Sequence, residues 1–146
     1  MPDEELLQSL LKSLGKIYHM APSKIISGFT HGENKILNQL YITDGFSLSP
    51  KELSEILFLS SARVAAALKT LEQKGRVRRS VSETDRRKIC VSLTREGEEI
   101  ILAKRTEINS IIGRVIDKLG SADSAQLVRL IDRIIEITEM DKEAEI

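Results

Sequence analysis

Apolar positions along this chain keep a helical period, switch to a period of two near the middle, and then return to the helical one. Leu7, Leu10, Leu11, Leu14, Ile17 and Tyr18 recur at steps of three and four, which predicts an amphipathic helix over residues 3–19. Pro22 and Gly28 are expected to break the chain. Thr30-His31-Gly32-Glu33 has the form of a capping box, in which the threonine oxygen accepts the N–H three residues on and the glutamate reaches back. A helix through Ile36, Leu37, Leu40 and Tyr41 should follow it and stop near Asp44-Gly45. Ser49-Pro50-Lys51-Glu52 is a stronger start, with an N-cap serine, a proline at the first helical position and Glu52 closing the box. It predicts a short helix over residues 50–57 with Leu53, Ile56 and Leu57 inward. Phe58-Leu59-Ser60 turns the chain. A further helix over residues 61–74 places Val64, Ala67, Leu68 and Leu71 inward, and Gly75 stands where a left-handed terminal residue belongs.

The period then changes. Val77, Arg79 and Val81 alternate along one short run, and Ile89, Val91 and Leu93 along another, so residues 76–81 and 88–93 read as a two-stranded hairpin with the six-residue tip Ser82 to Arg87. Thr94 caps a long helix to about Leu119, with Ile101, Ile108, Ile112, Val115 and Leu119 inward. Gly120 ends it, and Ser121 caps a last helix with Leu127, Leu130, Ile131, Ile134 and Ile137 on one face. The acidic end, residues 141–146, is expected to fray.

Composition narrows the class. A chain of 146 residues suggests one domain, and 41% hydrophobic residues suffice for a core. Aromatics make up 3% and tryptophan is absent, so that core must be aliphatic, which favours helices packed through Leu and Ile. The fold expected is mainly α (α+β). No basic start followed by an apolar run marks a signal peptide, and no apolar stretch approaches the roughly 20 residues that span a bilayer. With a single cysteine, Cys90, no intramolecular disulfide can form, so a cytoplasmic protein is expected.

The formal net charge is zero, but the charge is segregated. Between Ser60 and Arg95 stand ten basic residues (Arg63, Lys69, Lys74, Arg76, Arg78, Arg79, Arg86, Arg87, Lys88 and Arg95) against Glu72, Glu83 and Asp85. Segregation of this kind gives one part of the surface a positive field although the total cancels.

These charges fall on a helix, a tight turn, a second helix and a hairpin. A short helix joined by a few residues to a second is the helix-turn-helix unit, whose second helix can enter the major groove of DNA. The hairpin makes it a winged version. Arg86 and Arg87 at the wing tip can reach phosphates or the minor groove, where the potential is negative. Asp85 can pair with Arg87 or cap the turn, and either fixes the loop so that less ordering entropy is lost on binding.

Residues 53–94 resemble the winged-helix core of the MarR family of transcriptional regulators. The resemblance rests on the run L-S-x-x-x-V-x-x-x-L-x-x-L-E-x-K-G from Leu59 to Gly75, on the D-x-R tip Asp85-Arg86-Arg87, and on V-S-L-T from Val91 to Thr94. It implies one domain over residues 1–146, a DNA-binding lobe over 30–95, and dimerisation helices at 3–20 and 96–141. It also implies a homodimeric regulator, a repressor by expectation, bound to double-stranded DNA at a pseudo-palindromic operator. Small apolar or aromatic acids often release such proteins from DNA. In this frame Ser60 and Ser61 open the recognition helix and Arg87 probes the minor groove.

The recognition helix departs from the family's usual polarity, because Val64 is followed by Ala65, Ala66 and Ala67. Ala65 and Ala66 can touch thymine methyls but offer no side-chain hydrogen bond. Arg63 is therefore expected to carry direct readout, while Lys69, Thr70, Arg78 and Arg79 contact phosphates. Arg76, at a place where the family often has an apolar residue, is expected to point outward.

Other chemistry is poorly supported. Cys90 sits mid-strand between Lys88 and Ser92 with nothing clearly electropositive fixed beside it, so an inert role is expected. His19, His31 and Glu33 lack a recognised ligand spacing, and neither a metal nor a cofactor is expected. No nucleophile–histidine set and no glycine-rich phosphate loop points to an enzyme. The competing reading is a winged-helix module that binds another protein and not DNA.

Overall fold

A computed structural model describes residues 3–144, without the side chains of residues 21, 22, 30 and 142–144. Its helices are α1 (Glu4–His19), α2 (Ala21–Thr30), α3 (Gly32–Ile42), α4 (Pro50–Leu57), α5 (Ser61–Gln73), α6 (Arg95–Leu119) and α7 (Ser121–Ala144). Its strands are β1 (Ser47–Leu48), β2 (Val77–Val81) and β3 (Ile89–Leu93). The mainly α architecture with a small antiparallel sheet is the winged helix-turn-helix expected. The chain divides into two compact units, one ending at Ile108 and one starting at Asn109.

In the first unit the core is aliphatic. Ile36, Leu37 and Leu40 of α3, Leu53 of α4, Val64, Leu68 and Leu71 of α5, Val91 of β3 and Ile101 of α6 are almost completely buried. Each such side chain contributes about 1.5–3 kcal/mol relative to exposure. This one cluster fixes α4, α5 and the sheet against α3. Arg105 lies over the Tyr41 ring at 5.2 Å and donates to Asn38 Oδ1, tying α6 to α3.

The helix starts follow capping chemistry. Asp3 Oδ1 accepts the N–H groups of Glu5 and Leu6 at α1. The Ser49 box is complete: Ser49 Oγ accepts the Glu52 N–H at 3.1 Å and Glu52 Oε2 accepts the Ser49 N–H at 2.9 Å. At the end of α5 the Gly75 N–H reaches the Glu72 carbonyl and the Arg76 N–H the Leu71 carbonyl, with Gly75 at φ +71°. This is a Schellman closure, and the left-handed position explains the glycine.

Several expectations need correction. Pro22 does not break the chain but stands in the first turn of α2, where its missing N–H costs nothing. Gly28 lies within that helix. α3 starts from His31, whose side chain makes no capping bond. The Thr30 side chain lies outside the described residues, and Glu33 pairs with Lys74 at 2.8 Å instead of reaching back. Ile56 is 45% exposed, not inward. Ile112, Val115 and Leu119 of α6 are also exposed. α7 includes Ser121 from its start and stays helical through Ala144, and residues 145 and 146 lie outside the described part.

The hairpin register pairs Val77 with Leu93, Arg79 with Val91 and Val81 with Ile89, the faces expected from the alternation. β1, which no period announces, adds a third strand through Ser47 to Ser92 and Leu48 to Val91, giving the order β1-β3-β2.

Candidate nucleic-acid interface

α5 begins at a serine cap. Ser60 Oγ accepts the Arg63 N–H at 3.2 Å, leaving its hydroxyl hydrogen free for an outside acceptor. Ser61, Arg63, Ala65, Ala66 and Lys69 are all exposed. The outermost stripe, opposite Val64, Leu68 and Leu71, is Ala62, Ala66, Lys69 and Gln73 at steps of four and three. Ala62 and Gln73 are additions to the expected set, and helical phase alone would have found them. Thr70 is half-buried and its hydroxyl donates to the Ala66 carbonyl at 3.2 Å, so outward it offers only lone pairs.

The wing is ordered by its own polar groups. Asp85 Oδ1 accepts the Arg87 N–H at 3.0 Å, the Asp85 carbonyl accepts the Lys88 N–H at 3.0 Å, and the Ser82 N–H donates to the Lys88 carbonyl at 2.9 Å. Of the two roles open to Asp85, the turn cap is the one adopted. It leaves both arginine side chains exposed at the tip. The base of the tip flanks the first turn of α4, where Arg87, Lys88 and Ile89 share a cleft of about 520 Å³ with Pro50, Glu52 and Glu55.

The two strand arginines part company. Arg79 shares the Val77 face and pairs with Glu72 of α5, Nε to Oε2 at 3.2 Å. Arg78 points to the opposite face with Ser80 and Ser92. Arg76 does not swing outward: it is half-buried, its Nη1 lies 3.8 Å from Glu33 Oε2, and its buried Nε has no partner among the described residues. Glu33 thus holds both Lys74 and Arg76. Arg95 pairs with Glu99. Among the described residues no ion pair engages Arg63, Lys69, Arg78, Arg86, Arg87 or Lys88, so six of the ten cations stay available to an outside anion.

Cys90 is half-buried on the outer face of β3, opposite Ser80. Among the described residues no group of three or more His, Cys, Asp or Glu could hold a metal ion, and no helix is long and apolar enough to cross a membrane.

A helix capped by Ser60, packed on α4 and followed by an arginine-tipped hairpin defines a winged helix-turn-helix protein. Residues 27–88 match the MarR family model. Among curated proteins the chain is 32% identical over 91 residues to the organic hydroperoxide resistance transcriptional regulator of Bacillus subtilis, covering 62% of this chain and 60% of that one. It is 31% identical over 90 residues to the HTH-type transcriptional regulator PrsX of Escherichia coli, covering 59% and 54%. The matched region thus spans little more than half the length of these relatives. In fold the chain is similar to Streptococcus pneumoniae FabT, solved in complex with DNA, at a TM-score of 0.72 and 20% identity over 91% of this chain and 97% of that one.

Proposed function

We propose that the chain is a DNA-binding transcriptional regulator that presses α5 and the wing onto one duplex, acting as a homodimer on a pseudo-palindromic operator in the cytoplasm. One observation carries this reading. The six cations left unpaired lie on α5 and the hairpin, while the remaining four are already matched by carboxylates. A surface built for solvent alone has no reason to leave its charges sorted in this way. The relatives' names, and the DNA in the FabT structure, point in the same direction.

The roles follow from chemistry. Arg63, exposed one turn into α5, reads a guanine edge through its paired donors. Ser60, Ser61 and Lys69 position the helix on phosphates, and Arg86 and Arg87 enter the adjacent minor groove. Arg78 and Arg79 add phosphate contacts, with Arg79 sharing its charge with Glu72. Thr70 contributes least, because its hydrogen is spent inside the helix.

The dimer is supported by two faces, each considered within its own unit. α1 has no buried residue and exposes Leu7, Leu10, Leu11, Leu14 and Ile17, while α7 exposes Leu127, Leu130, Ile131, Ile134 and Ile137. Faces this apolar suit a second copy better than water. Repression relieved by a small apolar or aromatic acid is supported by a groove of about 760 Å³ between α1 and α2, lined by Ile17, Tyr18 and Ile26 with Lys24 at hand for a carboxylate.

Selection from a random duplex pool tests the assignment. The expected product is two inverted half-sites bound with a log–log salt slope between about −5 and −11, from about −0.9 per neutralised phosphate across two chains. Failure to enrich any duplex at low salt favours a protein-binding module instead.

A further inference from the structure

Phe58, in the turn between α4 and α5, combines two costs at one residue. It is 96% exposed, the highest value among the large apolar side chains described. Its backbone is left-handed, with φ 53° and ψ 40°, a region that disfavours bulky side chains. A glycine would meet the backbone demand of this turn without either cost.

The turn around it is firmly held. The Phe58 N–H donates to the Ser54 carbonyl, and the Leu59 N–H to the same oxygen at 3.1 Å. Ser54 Oγ donates to the Leu59 carbonyl at 2.6 Å, and Lys35 Nζ to the Leu57 carbonyl at 3.0 Å. The Phe58 and Leu59 N–H groups and the Leu57 and Leu59 carbonyls are thus all bonded, which holds the backbone that carries the ring outward. Strain that persists because its surroundings over-determine it is a recurrent mark of functional positions.

Two residues on comes Ser60, the cap of the helix proposed to enter the major groove. Beside Arg63, that helix offers bases alanine methyls from Ala62, Ala65 and Ala66. Aromatic and alanine side chains share one partner on a base edge, the C5-methyl of thymine, and an exposed ring adds far more apolar contact than an alanine.

We infer that Phe58 is a specificity-determining residue that packs its ring on a thymine methyl at the edge of the site read by α5. The inference rests on the DNA-binding reading above and adds to it an apolar element outside the helix. A turn whose backbone is held before binding leaves only the side-chain rotamer to be ordered on contact, so the strain is offset in the complex and not in the free chain.

The test uses the full chain, the duplex selected by the wild type, and the variants Phe58→Ala and Phe58→Gly. Both should bind that duplex about tenfold more weakly, the scale of losing one base-pair contact. Phe58→Gly should melt at or above the wild-type temperature, which separates lost contact from lost fold. Replacing each thymine in turn by deoxyuridine removes only the methyl. At one thymine per half-site the wild type should lose several-fold in affinity, and both variants should be indifferent there. Wild-type affinity in either variant, or a uracil penalty that survives in both, would overturn the inference while leaving DNA binding intact. A wild type that binds no duplex would sink both.

Discussion

Arg63 and Lys69 are both exposed cations on α5, yet they sit about 120° apart around the helix and are proposed to serve different purposes. Arg63 carries paired donors one turn in from the cap, whereas Lys69 is a point charge on the outermost stripe. Arg63→Ala should therefore relax base preference at one position per half-site by about 1–3 kcal/mol, while Lys69→Ala should weaken all duplexes alike and flatten the salt slope by about 0.9 for each contact removed. Competition binding with point-substituted duplexes separates the two. Equal loss on every duplex for Arg63→Ala would remove its readout role. At this scale Asp85 was legible only as a pair of options, since a carboxylate two residues before Arg87 suits a side-chain pair or an Asx turn equally, and only the backbone path decides. Arg76 was misread for a related reason. A strand-start arginine looks like surface until Glu33, more than forty residues earlier in the chain, is found beside it.

Between elements, a close joint is made where α6 leaves the wing. Thr94 Oγ1 accepts the Gly97 N–H and donates to the Gly75 carbonyl at 2.6 Å, while the Thr94 N–H reaches the Arg76 carbonyl at 3.1 Å. A Cβ at Gly97 would run into that same carbonyl of Arg76. Gly97→Ala should cost about 2–4 kcal/mol in urea unfolding, because backbone must move to admit a methyl. Gly113→Ala in the same helix meets open space and should be neutral or stabilise by up to about 1 kcal/mol. Equal effects of the two would show that helix propensity, not the wing joint, sets the value of Gly97. Elements with complete local signals were readable in advance: the Ser49 box gave α4 its bounds, Gly75 ended α5, and alternation gave the hairpin register. β1 was hidden because two residues carry no period, and α2 because a proline in a first turn looks the same in sequence as one that ends a helix.

For the chain as a whole, charge and apolar surface are distributed unevenly. The unpaired cations gather on α5 and the hairpin, and the apolar excess falls on α1 and on the second unit's α7. Periodicity located both apolar stripes but not their exposure, since an inward stripe and an exposed one have the same spacing. That is why Ile112, Val115 and Leu119 were expected inside and are found exposed. The candidate DNA-facing set was legible as a list of residues, but not its division into cations already paired and cations still free, which depends on long-range partners. In the proposed complex α5 and the wing grip one duplex together. Amide hydrogen exchange along the chain, with and without the selected duplex, tests it most directly. Exchange should slow at residues 60–70 and 82–87 in the bound state. Protection confined to other segments, or an unchanged pattern with the duplex bound, would contradict it.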